Sequence, residues 1–168
     1  MIYFERSLIS QSQIDFLFDL YRKSANWVEL DGEWTERHFS STVGHFLLSE
    51  FTEKEINPVW ETLKPKLDLQ LNCNTKLVYA RILKYNKTCF IQNHVDGYDP
   101  NQQENDISLI LQLNSPNLYN GGAMIVSKQL IDLEPGDAVF YTYEHEHEVK
   151  PIKSGVRYVL NLRCKRIK

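Results

Sequence analysis

The segment CFIQNHVD, residues 89–96, has a histidine and an aspartate two positions apart in a run typical of a β-strand. Side chains on a strand alternate between its two faces, so His94 and Asp96 are expected on the same face. An imidazole nitrogen and a carboxylate oxygen at that separation can bind one metal ion. Such a pair also arises by chance, so the hypothesis of a metal site depends on a third ligand and an anchoring group elsewhere in the chain.

From Lys76 onward the sequence around this segment is typical of a β protein. Short runs rich in Val, Ile, Leu and Tyr alternate with turn signals such as Asn120-Gly121-Gly122, and no helical run separates them. The predicted strands are Lys76–Tyr85, Cys89–Asp96, Asp106–Asn114, Ala123–Val126, Gln129–Leu133, Asp137–Tyr143, His147–Ile152 and Val156–Cys164. Their number and spacing indicate an antiparallel sandwich or jelly roll. We therefore predict a mostly β fold with N-terminal helices and a cupin-like core, a double-stranded β-helix over residues 76–166.

The N-terminal part of the chain begins with a predicted amphipathic helix. Ser10 or Ser12 can cap this helix, its apolar residues follow helical spacing, and it is expected to end near Ser24. The next stretch, residues 26–42, has aromatic residues among polar ones and is predicted to be irregular or weakly extended. Its aromatic side chains are interpreted as a cover for one end of the core, with contact to a substrate as the alternative.

A second helix is predicted from Thr52, where Glu55 completes a capping box, or from a later start with Pro58 in its first turn. Pro65 is expected to end or kink it. Residues 1–72 are thus interpreted as helical support, with two or three helices flanking the core. The whole chain, 1–168, is predicted to be a single domain.

Bulk properties narrow the classes of function. A net charge of −3 does not favour binding to DNA or to a membrane surface. Three cysteines without a Cys-x-x-Cys motif fit a reducing compartment, and neither a signal peptide nor a long apolar run is present, so the cytoplasm is the expected location. The C-terminal basic residues are interpreted as a solvated tail rather than a nucleic-acid contact. These residues are Arg163, Lys165, Arg166 and Lys168.

The candidates for a third metal ligand are His145 and His147, because His38 and His45 precede the strand-rich region. The composition of the EHEHE segment, residues 144–148, does not choose between the two, and both can instead be exposed in a charged turn.

Arg157 favours His147. If residues 147–152 and 156–164 form a hairpin with a three-residue loop, His147 and Arg157 lie on one face, roughly 13 Å apart along the strands at about 3.4 Å per residue. A five-carbon diacid that chelates the metal at one end could then reach the guanidinium, which binds a carboxylate through two parallel hydrogen bonds. A two-residue turn would instead place the two side chains on opposite faces.

The joint spacing of these residues resembles the 2-oxoglutarate and Fe(II)-dependent dioxygenases, specifically their prolyl-4-hydroxylase-like branch. That family has a His-x-Asp motif, a later histidine and a basic residue about ten positions after it; this chain has His94-Val95-Asp96, His147 and Arg157. The segments SLILQLN (108–114), YNGG (119–122) and LEPGDAVFY (133–141) also resemble its bacterial-type members.

The resemblance implies a catalytic centre and its co-substrates. The residues implied are His94, Asp96 and His147 for the metal, and Arg157, Tyr85 and Gln112 for 2-oxoglutarate. The cofactors implied are Fe(II), 2-oxoglutarate and O2, with ascorbate as a further expectation. The implied reaction hydroxylates a prolyl or other peptidyl residue and releases succinate and CO2; a small-molecule substrate is the alternative.

Three departures from the family and two rival functions accompany this prediction. Ala123 follows Gly121-Gly122 where members usually have a larger or acidic residue. Gln112 stands where several prolyl hydroxylases have a tyrosine that contacts 2-oxoglutarate, and Thr88 stands where a glycine often follows Tyr85. One rival is a non-catalytic jelly-roll binding module. The other is an oxidative nucleic-acid demethylase, whose family also has two arginines six residues apart, like Arg157 and Arg163, although the interval from His147 to Arg157 is too short for it. Residues 97–105 are hypothesised to be a lid over the substrate, or else a plain surface connection.

Overall fold

The computed structural model of the protein describes residues 1–36, 40–96 and 106–167. In these ranges there are two helices, α1 (Gln11–Lys23) and α2 (Asn57–Leu71), and one short 3-10 turn at Pro116–Leu118. The strands are β1 (Ile2–Glu5), β2 (Val28–Glu36), β3 (Ser40–Phe51), β4 (Asn74–Tyr85), β5 (Phe90–His94), β6 (Asp106–Gln112), β7 (Tyr119–Gly121), β8 (Met124–Val126), β9 (Gln129–Ile131), β10 (Ala138–Thr142), β11 (His147–Val149), β12 (Ile152–Gly155) and β13 (Arg157–Ile167). Strands thus dominate the described chain, as predicted.

Most strands belong to one curled antiparallel sheet. Its order is β1-β10-β6-β13-β4-β3-β5-β11-β8-β9, with β2 paired to β3 beside this path, and β7 and β12 form a separate pair. Neighbouring strands of the sheet are mostly distant in sequence. Because the sheet curls, β5, β11 and β8 lie opposite β4, β13 and β6, and their inner side chains pack together. The curled antiparallel sheet with its two helices confirms the predicted jelly-roll fold.

The central strands have two different faces. On β4 and β13 the side chains of Ala80, Ile82, Leu160 and Leu162 pack with the helices in one apolar core. The alternate residues of the same strands, including Leu83 and Val159, belong to a second apolar core inside the curl. Because the helices cover the first face, the second face is left to form the wall of an internal site.

Helix α1 follows the prediction. Ser10 is its N-cap, the Gln13 amide donates to Ser10 Oγ at 3.3 Å, and the Gln13 side chain accepts from the Ser10 amide at 2.9 Å. Its buried residues, Ile14 and Leu17, lie on the same side of the helix and pack on the sheet.

Helix α2 takes the later of the two predicted starts. Pro58 lies in its first turn, while Thr52 and Glu55 form a separate turn before it, with the Thr52 amide 2.7 Å from Glu55 Oε2. Of the two effects expected of Pro65, an end or a kink, the first is wrong, since the helix continues to Leu71. In the described part of the chain, no helix has the length and apolar character needed to span a membrane.

Residues 1–72 contain more strand than predicted, so their interpretation as helical support is incomplete. β1 pairs with β10, and β2 forms a hairpin with β3, which continues the central sheet by pairing with β4 and β5. The alternation of Val28, Leu30 and Trp34 with acidic residues was the signal for β2, and the high polarity of this stretch obscured it. His38, Phe39 and the predicted lid at 97–105 lie outside the described residues.

The predicted hairpin between residues 147–152 and 156–164 is wrong. β11 pairs with β5 and β8, β12 pairs with β7, and β13 pairs with β4 and β6. Lys150 and Pro151 separate β11 from β12, and a proline cannot donate a backbone hydrogen bond to a sheet. His147 and Arg157 therefore belong to opposite walls of the curl and not to adjacent strands.

Candidate active site

His94, Asp96 and His147 meet at one end of the curl. His94 is the last residue of β5 and His147 the first of β11, and the two are directly paired across these strands with ring centroids 4.2 Å apart. Asp96 Oδ1 lies 3.5 Å from His147 Nε2 and 3.9 Å from His94 Nε2. One ligand atom from each residue lies within 4.8 Å of the others. The three side chains that were proposed as metal ligands are therefore brought together.

Both histidines are oriented by backbone carbonyls. The Nδ1 atoms of His94 and His147 lie 2.8 Å and 2.9 Å from the oxygens of Gln92 and His145. Because a carbonyl oxygen only accepts, each ring carries a proton on Nδ1, which leaves Nε2 as the nitrogen that faces Asp96 Oδ1 and is available to a metal. Burial, and then the neighbouring His147, lower the pKa of His94 to about 4. Burial alone would also lower the pKa of His147, but the Asp96 carboxylate outweighs it and the net shift is upward.

Asp96 is buried and ionised. Burial acts to raise its pKa, but the charge of Arg163, followed by that of His147, holds it well below the usual value for an aspartate. Arg163 Nη2 lies 2.9 Å from Asp96 Oδ2, and Ser108 Oγ donates a hydrogen bond to the same oxygen. The site thus offers two imidazole nitrogens, which give up any proton when a metal binds, and one anionic oxygen. This donor set fits Fe(II) or another divalent transition metal.

Arg157 lies on the same strand as Arg163, six residues before it. It is the first residue of β13 and pairs with Tyr85, the last residue of β4, whose ring centroid is 5.7 Å from the guanidinium carbon. Only 3% of Arg157 is exposed, and its nitrogens lie 3.2 Å from Gln112 Oε1 and 3.3 Å from the carbonyl oxygen of Gly122. Among the residues described, no carboxylate lies within ion-pair distance of it.

Gln112 lies beside Arg157, and its side-chain amide bonds only to protein groups. Its Oε1 accepts from Arg157, and its Nε2 donates to the Asn114 carbonyl oxygen at 2.8 Å and to the Tyr119 hydroxyl at 3.1 Å. Both ends of the amide are therefore used within the protein. Asn114 in turn bonds to the backbone on both sides of Arg157, through the Val156 oxygen and the Tyr158 amide.

One cavity of about 640 Å³, including its part open to solvent, contains both ends of the site. The three candidate ligands, Arg157 and Tyr85 all line it. Apolar side chains of the inner face, such as Leu83, Ile110 and Val159, form the wall between the two ends. A small molecule in this cavity can thus contact the triad and Arg157 at the same time.

Two residues of the site were not predicted from the sequence. Arg163 was assigned to a solvated tail, but it is 1% exposed and paired with Asp96, so that interpretation is wrong. The available signal was its spacing of six residues from Arg157, because an even spacing on one strand places both side chains on the same face. Ser108 lies across from Arg163 on β6. By contrast His145, the alternative ligand, has its Nδ1 2.6 Å from Ser127 Oγ, outside the triad.

The sequence model of the 2OG-Fe(II) oxygenase superfamily matches residues 80–162, a segment that contains the triad and Arg157. This chain belongs to that superfamily. The oxygenase is 27% identical over 171 residues to a PKHD-type hydroxylase of Aliarcobacter butzleri, a match covering 90% of the chain and 73% of the relative.

Solved structures show the same fold at lower sequence identity. A 2OG-Fe(II) oxygenase family oxidoreductase of Burkholderia pseudomallei matches with a TM-score of 0.74 and 13% identity, over 99% of the oxygenase and 86% of that chain. A Pseudomonas putida prolyl-4-hydroxylase matches with a TM-score of 0.70 and 14% identity, over 99% and 93%. These matches show the fold, and the sequence relatives support the prolyl-4-hydroxylase-like branch. Its cofactors are accordingly Fe(II), 2-oxoglutarate and O2, and its reaction class is 2-oxoglutarate-dependent hydroxylation.

Proposed function

We propose that this oxygenase hydroxylates a peptidyl residue, with proline as the first candidate, and converts 2-oxoglutarate to succinate and CO2. The PKHD-type hydroxylase among its sequence relatives supports hydroxylation, and the prolyl-4-hydroxylase that shares its fold makes proline the first candidate residue. We also propose that residues 1–168 act as one catalytic domain, because β1 and β3 pair with strands of the jelly-roll core.

The observation that carries the proposal is the buried charge of Arg157. Among the described residues, the hydrogen-bond partners of its guanidinium are neutral. They are Gln112, Gly122 and, at 4.0 Å, the sulfur of Met124. A buried guanidinium without a compensating anion is costly, and a ligand carboxylate in the adjoining cavity removes that cost. The far carboxylate of 2-oxoglutarate is such a group. We therefore assign Arg157 to the co-substrate, with Tyr85 beside it and Gln112 as a positioning residue behind it.

At the other end of the cavity we assign His94, Asp96 and His147 to Fe(II). When bound, the metal supplies the O2-dependent oxidation of the substrate that is coupled to decarboxylation of 2-oxoglutarate. The chain's own residues present the three ligand atoms through backbone-oriented rings and a fixed carboxylate. The apolar wall formed by Leu83 and Val159 excludes water from the space between metal and Arg157.

The substrate is proposed to enter at the triad end of the cavity. Along β4 and β13 the paired residues run from Tyr85 and Arg157 to Tyr79 and Arg163, so Tyr79 marks this end. The Arg81 guanidinium lies 3.9 Å over the Tyr79 ring, and its Nε is 2.8 Å from Glu50 Oε2. An aromatic ring beside a charged pair suits a prolyl ring with flanking backbone amides, since the ring packs on the aromatic face and the amides bond to the charges.

The test is succinate release from Fe(II)-loaded protein given 2-oxoglutarate and O2, with and without peptides. Proline-containing peptides, the same peptides with alanine for proline, and free proline separate peptidyl from small-molecule substrates. Asp96→Ala is the inactive variant, and Asp15→Ala, which changes an exposed aspartate of α1, is the matched control. Release that depends on Asp96 and is stimulated by proline peptides is expected. Equal release from wild type and Asp96→Ala, with metal binding confirmed in the wild type, would reject the assignment.

A further inference from the structure

Two groups hold the same oxygen of Asp96. Arg163 Nη2 lies 2.9 Å from Oδ2, and Ser108 Oγ donates to Oδ2 as well. The other oxygen, Oδ1, is the one that faces His94 Nε2 and His147 Nε2. The two oxygens of this carboxylate therefore have separate environments, one directed at protein groups and one at the metal position.

This arrangement restricts how Asp96 can bind a metal. A carboxylate binds through one oxygen or through both, and binding through both would require Oδ2 to leave its partners. Arg163 and Ser108 are buried on the adjacent strands β13 and β6, at directly paired positions, so neither can follow a rotating carboxylate. With one oxygen from Asp96 and one nitrogen from each histidine, an octahedral metal keeps three positions open.

We propose that Arg163 is a positioning residue that keeps Asp96 a one-oxygen ligand and so preserves the coordination position needed for a chelating dianion. This inference rests on the proposed metal site, and it assigns a role to a residue outside the three ligands. Ser108 assists at the same oxygen.

Charge reinforces the geometry. A divalent metal with one aspartate carries a net charge of +1, and the buried Arg163 next to that aspartate raises the total to +2. This positive charge at the metal end attracts the keto-acid end of the dianion, whose far carboxylate is assigned to Arg157. Removing Arg163 therefore has two effects in the same direction, since it frees Oδ2 to compete for a metal position and reduces the attraction for the dianion.

The test measures binding without turnover. The protein is loaded with Fe(II) under anaerobic conditions and titrated with 2-oxoglutarate, and the visible charge-transfer absorption of a keto acid chelated to Fe(II) reports the complex. For Arg163→Gln the apparent Kd for 2-oxoglutarate is expected to rise about tenfold, which corresponds to about 1.4 kcal/mol. Arg163→Lys, which retains the charge, is expected to recover most of the affinity, and Ser108→Ala to lose about threefold.

Controls separate this role from a general loss of charge or fold. Arg166→Gln removes a cation from the same strand outside the cavity lining and is expected to bind as the wild type does. Circular dichroism verifies the fold of each variant. If Arg163→Gln does not fold, Ser108→Ala decides. A wild-type Kd and spectrum in Arg163→Gln, or in Ser108→Ala where Arg163→Gln does not fold, would overturn the proposal. So would a folded, metal-loaded Arg163→Lys that binds no better than Arg163→Gln, or an equal loss in Arg166→Gln. Absence of the absorption in the wild type would instead reject the proposed function.

Discussion

Strand β13 carries two buried arginines on its inner face, and their surroundings differ in charge. Arg163 is paired with the carboxylate of Asp96, so its charge is compensated within the protein. Arg157, six residues earlier, contacts an amide oxygen, a backbone oxygen and a thioether sulfur. The same type of side chain at two positions of one strand thus has a carboxylate partner at one position and only neutral partners at the other, where we propose that it binds a ligand anion.

The difference shows how to tell a buried cation that stabilises the fold from one that binds a ligand. A charge that already has its counterion contributes to the apo structure, and removing either partner leaves the other buried alone. A buried charge with only neutral contacts destabilises the apo protein. It therefore contributes most to the free energy of binding when a ligand anion pairs with it. Substitutions at each of the two arginines and their partners can therefore break this contrast.

The largest effect is expected at Asp96. Asp96→Ala removes a metal ligand and leaves Arg163 without its counterion, so activity is lost and the free energy of unfolding falls by about 3–5 kcal/mol. Urea unfolding of the metal-free protein measures the second effect. In Asp96→Ala/Arg163→Met the uncompensated charge is gone, so most of the stability is expected to return while activity stays absent. A double variant no more stable than Asp96→Ala would contradict the pairing.

At the other end, Arg157→Met is expected to affect the co-substrate far more than the fold. The KM for 2-oxoglutarate rises about 100-fold, as expected for losing roughly 2.7 kcal/mol of charge-assisted hydrogen bonding. The metal-free protein changes in stability by no more than about 1 kcal/mol, because no ion pair is broken. Unfolding of the Mn(II)-loaded protein with and without 2-oxoglutarate provides the check. Wild-type stabilisation by 2-oxoglutarate in this variant would show that Arg157 does not bind it.

Gln112→Glu is designed to make Arg157 resemble Arg163. The substitution places a carboxylate where Gln112 Oε1 now lies, 3.2 Å from Arg157 Nε. With its charge compensated, Arg157 is expected to bind 2-oxoglutarate about tenfold more weakly, since the ligand anion then competes with a protein anion. Gln112→Met, which removes the contact without adding charge, is the control and is expected to have a smaller effect. Unchanged affinity in Gln112→Glu would separate Arg157 from the co-substrate.

A further prediction concerns pH, and it distinguishes the two ends. His94 has a pKa of about 4 in the fold, so between about pH 6.5 and that value the unfolded chain binds more protons and stability falls as pH falls. From pH 7 to pH 5 the contribution of His94 to the free energy of unfolding should decrease by about 2 kcal/mol.

Urea unfolding of metal-free wild type and His94→Gln isolates this contribution, because the variant lacks the titrating ring. The wild type is expected to lose more stability over this pH range. At the Arg157 end, burial raises the pKa of Tyr85 further above neutrality, so Tyr85→Phe should leave the pH dependence unchanged. Parallel curves for wild type and His94→Gln would contradict the low pKa of His94.

Much of the fold could be predicted from local sequence patterns. The strand-rich region from residue 76, the helix after Ser10 and the His-x-Asp motif each depend on residues close in sequence, whose periodicity and turn signals indicate their structure. The β2–β3 hairpin was not predicted because polar and acidic residues dominate β2, even though its apolar residues alternate.

The sequence alone specifies which functional groups are present. These are two histidines, an aspartate and an arginine, at a spacing that resembles a known family. Only the tertiary structure decided which strands are neighbours. His147 proved to pair with His94 and not with β13, and Arg163 proved to be the partner of Asp96. The physical reason is that strand periodicity determines which face a side chain occupies, whereas the pairing of strands distant in sequence is selected by the packing of the whole sheet.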